Sequence, residues 1–141
     1  FLNEIARVVP PPEKVGLNCM ISLRVEHEAT SNNDKIQLGV WYIPPDEKLC
    51  QYHYRERRKR LSSPIVNLSK SFSADKRMVM LFTHGIAGSR ATRYRVERYR
   101  MWSNNLKYHV LTFDYRGFGD SSHIEPSVDG ERHDRNISLA N

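Results

Sequence analysis

Residues Met78–Arg90 read MVMLFTHGIAGSR, a nearly continuous apolar run that stops at His84-Gly85 and turns through small residues to Gly88. Such a run predicts a strand buried on both faces of a parallel sheet. Past the end of that strand the backbone N–H groups have no ladder partner, and glycine lets a ligand approach the main chain or lets the chain turn where a Cβ would forbid it. Downstream, ATRYRVERYRMWSNN (91–105) carries Val96, Tyr99 and the Trp102–Leu106 region at helical spacing, with Arg93, Arg95, Arg98 and Arg100 directed elsewhere. After it, YHVLTFDYRGFGDS (108–121) supplies a second apolar strand, Val110–Phe113, ending at Asp114. Strand, helix, strand is a βαβ unit, so the two strands should be parallel with a right-handed crossover. Both glycine-rich corners then sit at the carboxyl edge of the sheet, where open α/β sheets bind ligands.

Upstream, CMISLRVEH (19–27) and KIQLGVWYIP (35–44) alternate in the manner of half-buried strands. The connector holds Asn32, Asn33 and Asp34, which accept turn conformations, so the pair reads as a β-hairpin stopped by Pro44-Pro45. From about 46 to 76 the alternation is lost and five basic residues fall between Arg55 and Arg60. That run reads as a solvated helix or loop inserted between strands. A nucleic-acid or lipid-headgroup patch is the other reading, and no nucleic-acid-binding framework surrounds Tyr52 and Tyr54 to support the former.

Composition sets outer limits. The 141 residues are 39% hydrophobic and 27% charged with a net charge of +6, which is globular and suits anionic partners without requiring them. Cys19 and Cys50 either bridge in an oxidising lumen or remain two thiols. No apolar run reaches the ~20 residues of a membrane helix. Six histidines show no metal-ligand spacing, and RGFGDS does not open a helix as a dinucleotide fingerprint would, so neither metal nor cofactor is expected. Asn67 and Asn136 fit the glycosylation pattern.

A strand ending in His-Gly-x-x-Gly has the position and composition of the oxyanion loop of α/β-hydrolases. With GLN and a cysteine at 16–19, LGVWYIP at 38–44, LFTHGIAGSR at 81–90, YRVERY at 94–99 and YHVLTFDYRGFGDSS at 108–122, the chain resembles the α/β-hydrolase domain-containing type 12 lipases. The resemblance continues through Pro126, Asp129, Gly130 and Asp134, so it covers roughly residues 15–134. It implies a serine hydrolase acting on lysophospholipid or monoacylglycerol esters, without cofactor or metal. It also implies an amino-terminal anchor in the endoplasmic-reticulum membrane, a lumenal hydrolase domain and no nucleic-acid partner. Residues 1–14 would be the juxtamembrane segment, and 15–141 part of the hydrolase domain with the basic insertion at 46–76.

In that fold the backbone N–H of Ile86 would be one oxyanion donor, in a loop formed by His84, Gly85, Ala87 and Gly88. His84 would order the loop rather than transfer protons. Asp114, Arg116, Gly117, Gly119, Asp120 and Ser121 would form the loop after the fourth strand. Acyl transfer also needs a serine on a G-x-S-x-G elbow, then an acid and a histidine. No G-x-S-x-G occurs; Gly119-Asp-Ser121-Ser-His123 lacks the closing glycine, and Ser121, Asp129 and His133 fall within one short stretch, too close to form a triad held by separate strands. The expectation is therefore the first half of a hydrolase domain, the first four strands and first helix, inactive alone. A non-catalytic pseudo-hydrolase module binding anionic lipid or a protein is the alternative. The family strand order 1-2-4-3-5 would leave MVMLFTH as an exposed edge, which predicts poor solubility; a sharp cooperative melt of a monomer would contradict that.

Overall fold

The computed structural model describes residues 9, 12–17, 19–28, 35–59 and 64–122. After a 3-10 turn at Pro12–Val15 come β1 (Ile21–Glu28), β2 (Lys35–Ile43), helices α1 (Glu47–Lys59) and α2 (Pro64–Ala74), β3 (Val79–Thr83), α3 (Arg93–Arg100) and β4 (His109–Phe113). A π-helical turn, Met101–Asn105, extends α3. The expected Pro126, Asp129, Gly130, His133, Asp134 and Asn136 lie outside the described residues, and Asn67 falls on α2.

The strands form one sheet in the order β1-β2-β4-β3. The hairpin is antiparallel, with Leu23 opposite Val40, and β3 runs parallel to β4, with Leu81 opposite Leu111. Between them β2 pairs antiparallel with β4 and joins the hairpin to the βαβ unit. The hairpin, the parallel unit and the edge position of β3 agree with the sequence; this is the strand order expected for the first four strands of an α/β-hydrolase.

One correction concerns β3 itself. Met80 and Phe82 pack on the α3 side, but Val79 and Leu81 are 44% and 62% exposed, so only one face is covered. The layer carrying Leu68 and Phe72 of α2 covers Ile21, Leu23, Tyr42 and Leu111 and stops short of β3. On the other face Trp41, Ile43, Val96, Tyr99 and Val110 form a core with Leu17 and Met20. The basic run lies on α1 as far as Lys59, so the insertion is helical. Asp46 caps that helix by accepting the Leu49 amide at 3.0 Å. Cys50, on the same helix, forms a disulfide with Cys19, which fixes α1 to the segment entering β1.

Between sheet and α1–α2 lies a buried polar cluster. Tyr42 Oη is 2.8 Å from His109 Nδ1, and Ser71 Oγ is 2.9 Å from His53 Nε2. Arg77 bridges Asp75 and Asp46, and its guanidinium holds the Asp75 carboxyl down at about 2 against the opposing effect of burial. Burial pushes both imidazoles below their ordinary 6.5, helped at His53 by the nearby His109; at His109 burial prevails although Asp75 works in the opposite direction. The folded chain therefore holds these rings neutral where the unfolded chain protonates them. Stability is full above the unfolded value and falls as pH drops below it. A urea midpoint that declines between pH 7.5 and 5.5 is expected, and a flat or rising midpoint would contradict burial of the two rings.

Candidate active site

The candidate site is the corner His84–Arg90 at the carboxyl end of β3, beside the loop that follows β4. Ile86 is 93% exposed, and among the described residues no hydrogen bond engages its amide. His84, by contrast, is buried, and its ring packs edge-on against Tyr115 and Phe118 at 4.8 and 5.3 Å between centroids. Its Nδ1–H donates to the Gly85 carbonyl at 2.7 Å. The Gly85–Ile86 peptide is trans, so its N–H points opposite to its C=O, away from the His84 ring.

The glycines divide the work. A Cβ on Gly85 would meet open space and its φ is not positive, so neither crowding by the chain nor an unusual φ requires glycine there. Gly88 does carry the conformational load, with φ +76° and Thr92 Oγ1 2.6 Å from where a Cβ would sit.

Asp114, just past β4, is fully buried. Its Oδ1 accepts the Arg90 amide at 2.6 Å and lies 3.1 Å from His84 Nε2, while Oδ2 accepts the Arg90 guanidinium. The same guanidinium reaches Asp120 at 2.7 Å and lies over the Trp41 ring, 5.0 Å from its centroid. Burial alone would raise the Asp120 carboxyl, but Arg90, with Arg24, outweighs it and holds it below the usual carboxylate range.

Ser121 is not placed as a nucleophile. It is buried, its Oγ accepts the Gly39 amide at 2.9 Å and donates to the Asp114 carbonyl at 2.7 Å, joining β2 to the end of β4. Gly119 lies so close to Asp114 Oδ2 that a Cβ would collide with it. Gly117 donates its amide to the Ser122 carbonyl at 2.9 Å, and Arg116 is exposed. Asp114, Asp120 and Ser121 are thus gathered under the corner, while Arg116 stands outside.

Two residues escaped the sequence. Arg90 was visible only as the last letter of the corner. Arg95, expected to point away from the core, is buried and donates to the carbonyls of Ser89 at 2.7 Å and Ala87 at 2.6 Å. The available signal was an arginine one helical turn after a glycine corner, whose turned-in carbonyls need donors.

A recess of about 840 Å³ lies at the opposite edge, lined by Pro44, Pro45, the Cys19–Cys50 bridge and Lys107. It is remote from the corner because Ile43 pairs with Val110 at the amino end of β4. Among the described residues no cluster of His, Cys, Asp and Glu could hold a metal ion, and no helix is long and apolar enough to cross a membrane.

No protein-family model matches the chain. The lysophosphatidylserine lipase ABHD12 of Gallus gallus is 52% identical over 112 residues, covering 78% of this chain and 25% of that protein. The Mus musculus protein of the same name is 32% identical over 110 residues, covering 78% and 24%. Protein ABHD12B of Homo sapiens is 30% identical over 92 residues, covering 62% and 21%. The chain spans about a quarter of the length of the curated relatives it matches. A Pyrococcus furiosus esterase structure superposes with a TM-score of 0.45 at 18% identity, over 88% of this chain and 34% of its own, which adds nothing to the strand order described above. On these sequence matches, with the hairpin and parallel unit assembled in the expected order, the chain belongs to the ABHD12 family of α/β-hydrolase proteins.

Proposed function

We propose that the His84–Arg90 corner is the acyl-oxygen side of a serine lipid hydrolase site, with the Ile86 amide as one oxyanion donor. The observation that carries this is an amide without a partner among the described residues, held at the carboxyl edge of β3 and turned away from the buried His84. When a serine attacks an ester carbonyl, charge develops on the carbonyl oxygen, and a donor already oriented there stabilises it without reorganisation. The substrate class is a lysophospholipid or monoacylglycerol ester, from which hydrolysis releases a fatty acid; the relatives named lysophosphatidylserine lipases support the first. The serine, acid and base are supplied by sequence outside these 141 residues, which contain no G-x-S-x-G. The chain alone is then inactive.

The location we propose is the lumenal side of the endoplasmic-reticulum membrane. The Cys19–Cys50 disulfide supports an oxidising compartment, because such bonds form and persist there. The missing elbow favours a second reading, a non-catalytic module of the same fold that binds anionic lipid or a protein.

A fluorophosphonate serine probe separates the two. The 141-residue chain should not label, whereas a longer gene product carrying G-x-S-x-G should label and release fatty acid from lysophosphatidylserine. Labelling of the 141-residue chain would overturn the claim that it lacks a nucleophile, and a gene product without that motif would overturn the catalytic reading.

A further inference from the structure

The corner is held at its two ends by different contacts. His84 opens it and Arg90 closes it; Asp114 Oδ1 accepts the Arg90 amide at 2.6 Å, and although it also lies 3.1 Å from His84 Nε2, that nitrogen makes no hydrogen bond among the described residues. At the other end the imidazole donates through Nδ1 to the Gly85 carbonyl at 2.7 Å, and that carbonyl shares its rigid peptide plane with the Ile86 N–H. Turning the ring therefore turns the amide. Between these ends Arg95 draws in the Ala87 carbonyl at 2.6 Å.

We propose that His84 is a positioning residue: its Nδ1–H, donated to the Gly85 carbonyl, aims the Ile86 amide, while Asp114 anchors the far end of the corner through Arg90. Neither touches substrate in this scheme. The inference rests on the oxyanion role proposed above for Ile86, but the mechanical link can be tested without catalysis.

The test uses three variants. In Asn, the side-chain amide nitrogen occupies about the place of the histidine Nδ1, so His84→Asn keeps a donor for the Gly85 carbonyl. His84→Ala gives it up. Asp114→Asn removes the charge that holds Arg90 at the far end, and should it fail to fold, the two His84 variants still decide the matter.

Backbone 15N relaxation of the 141-residue chain at low concentration is expected to show residues 85–88 loosened in His84→Ala and Asp114→Asn, close to wild type in His84→Asn, with Trp41 and Val110 unchanged in all three. In the G-x-S-x-G-bearing gene product, His84→Ala should lower kcat about a hundredfold at nearly constant KM, the scale of losing an oxyanion donor, and His84→Asn should recover most of it. A corner that stays ordered in His84→Ala overturns the positioning role. A corner that loosens while kcat is unchanged keeps the mechanical link and overturns the oxyanion reading instead.

Discussion

Arg90→Met is expected to cost about 3–5 kcal/mol, because it leaves a carboxylate buried without its counter-charge. Asp114 and Arg90 are both fully buried side chains, and Asp114 receives both the guanidinium and the amide of Arg90. Methionine restores some of the volume over Trp41 but none of the charge, and Asp120 loses its 2.7 Å partner as well. Against a total stability of roughly 5–15 kcal/mol for an ordinary domain, such a loss is a large fraction. Urea unfolding followed by the fluorescence of Trp41 and Trp102 measures it. Adding Asp114→Asn to Arg90→Met should be less damaging than the sum of the single changes, since the orphaned charge is removed; such non-additivity is the signature of a direct pair. A loss under about 1 kcal/mol would place the pair among surface ion pairs, contrary to its burial.

The backbone plan was legible because period decides it. Alternation in 19–27 and 35–44 specified a hairpin, and two apolar runs flanking a helical repeat specified a parallel pair, both of which the sheet contains. Solvent exposure was less legible. Leu81 looks like any leucine of a doubly covered strand, and it is exposed because the layer bearing Leu68 and Phe72 does not reach β3, a matter of where distant helices end. Pairing of Cys19 with Cys50 was undecidable for a similar reason: 31 residues separate them, and only the position of α1 brings their Cα atoms to 5.9 Å.

At the site, the strand end and its glycines were visible as pattern, and the function of each residue was not. Gly85 has neither an unusual φ nor a crowded Cβ position, while Gly88 has both. Helical spacing placed Arg95 away from the apolar face with the other arginines of its helix; two turned-in carbonyls, at Ala87 and Ser89, keep it inside. Arg90 and Asp114 are 24 residues apart and meet only once β3 and β4 are side by side. Polar contacts of this kind depend on tertiary placement, which periodicity does not encode.

The second large effect concerns the Ile86 amide itself. Ile86→Pro removes the N–H, whereas Ile86→Ala removes only a side chain that is 93% exposed. If that N–H donates to the developing oxyanion, proline should lower kcat by roughly 10²–10³, the usual cost of one such donor, with little change in KM. Alanine should leave kcat close to wild type. The measurement is kcat and KM for release of fatty acid from lysophosphatidylserine by the longer, G-x-S-x-G-bearing gene product and its two Ile86 variants, each checked for native unfolding behaviour. A deep loss in Ile86→Pro alone is the predicted result; a folded Ile86→Pro enzyme turning over at the wild-type rate would contradict the assignment of this corner to the acyl oxygen.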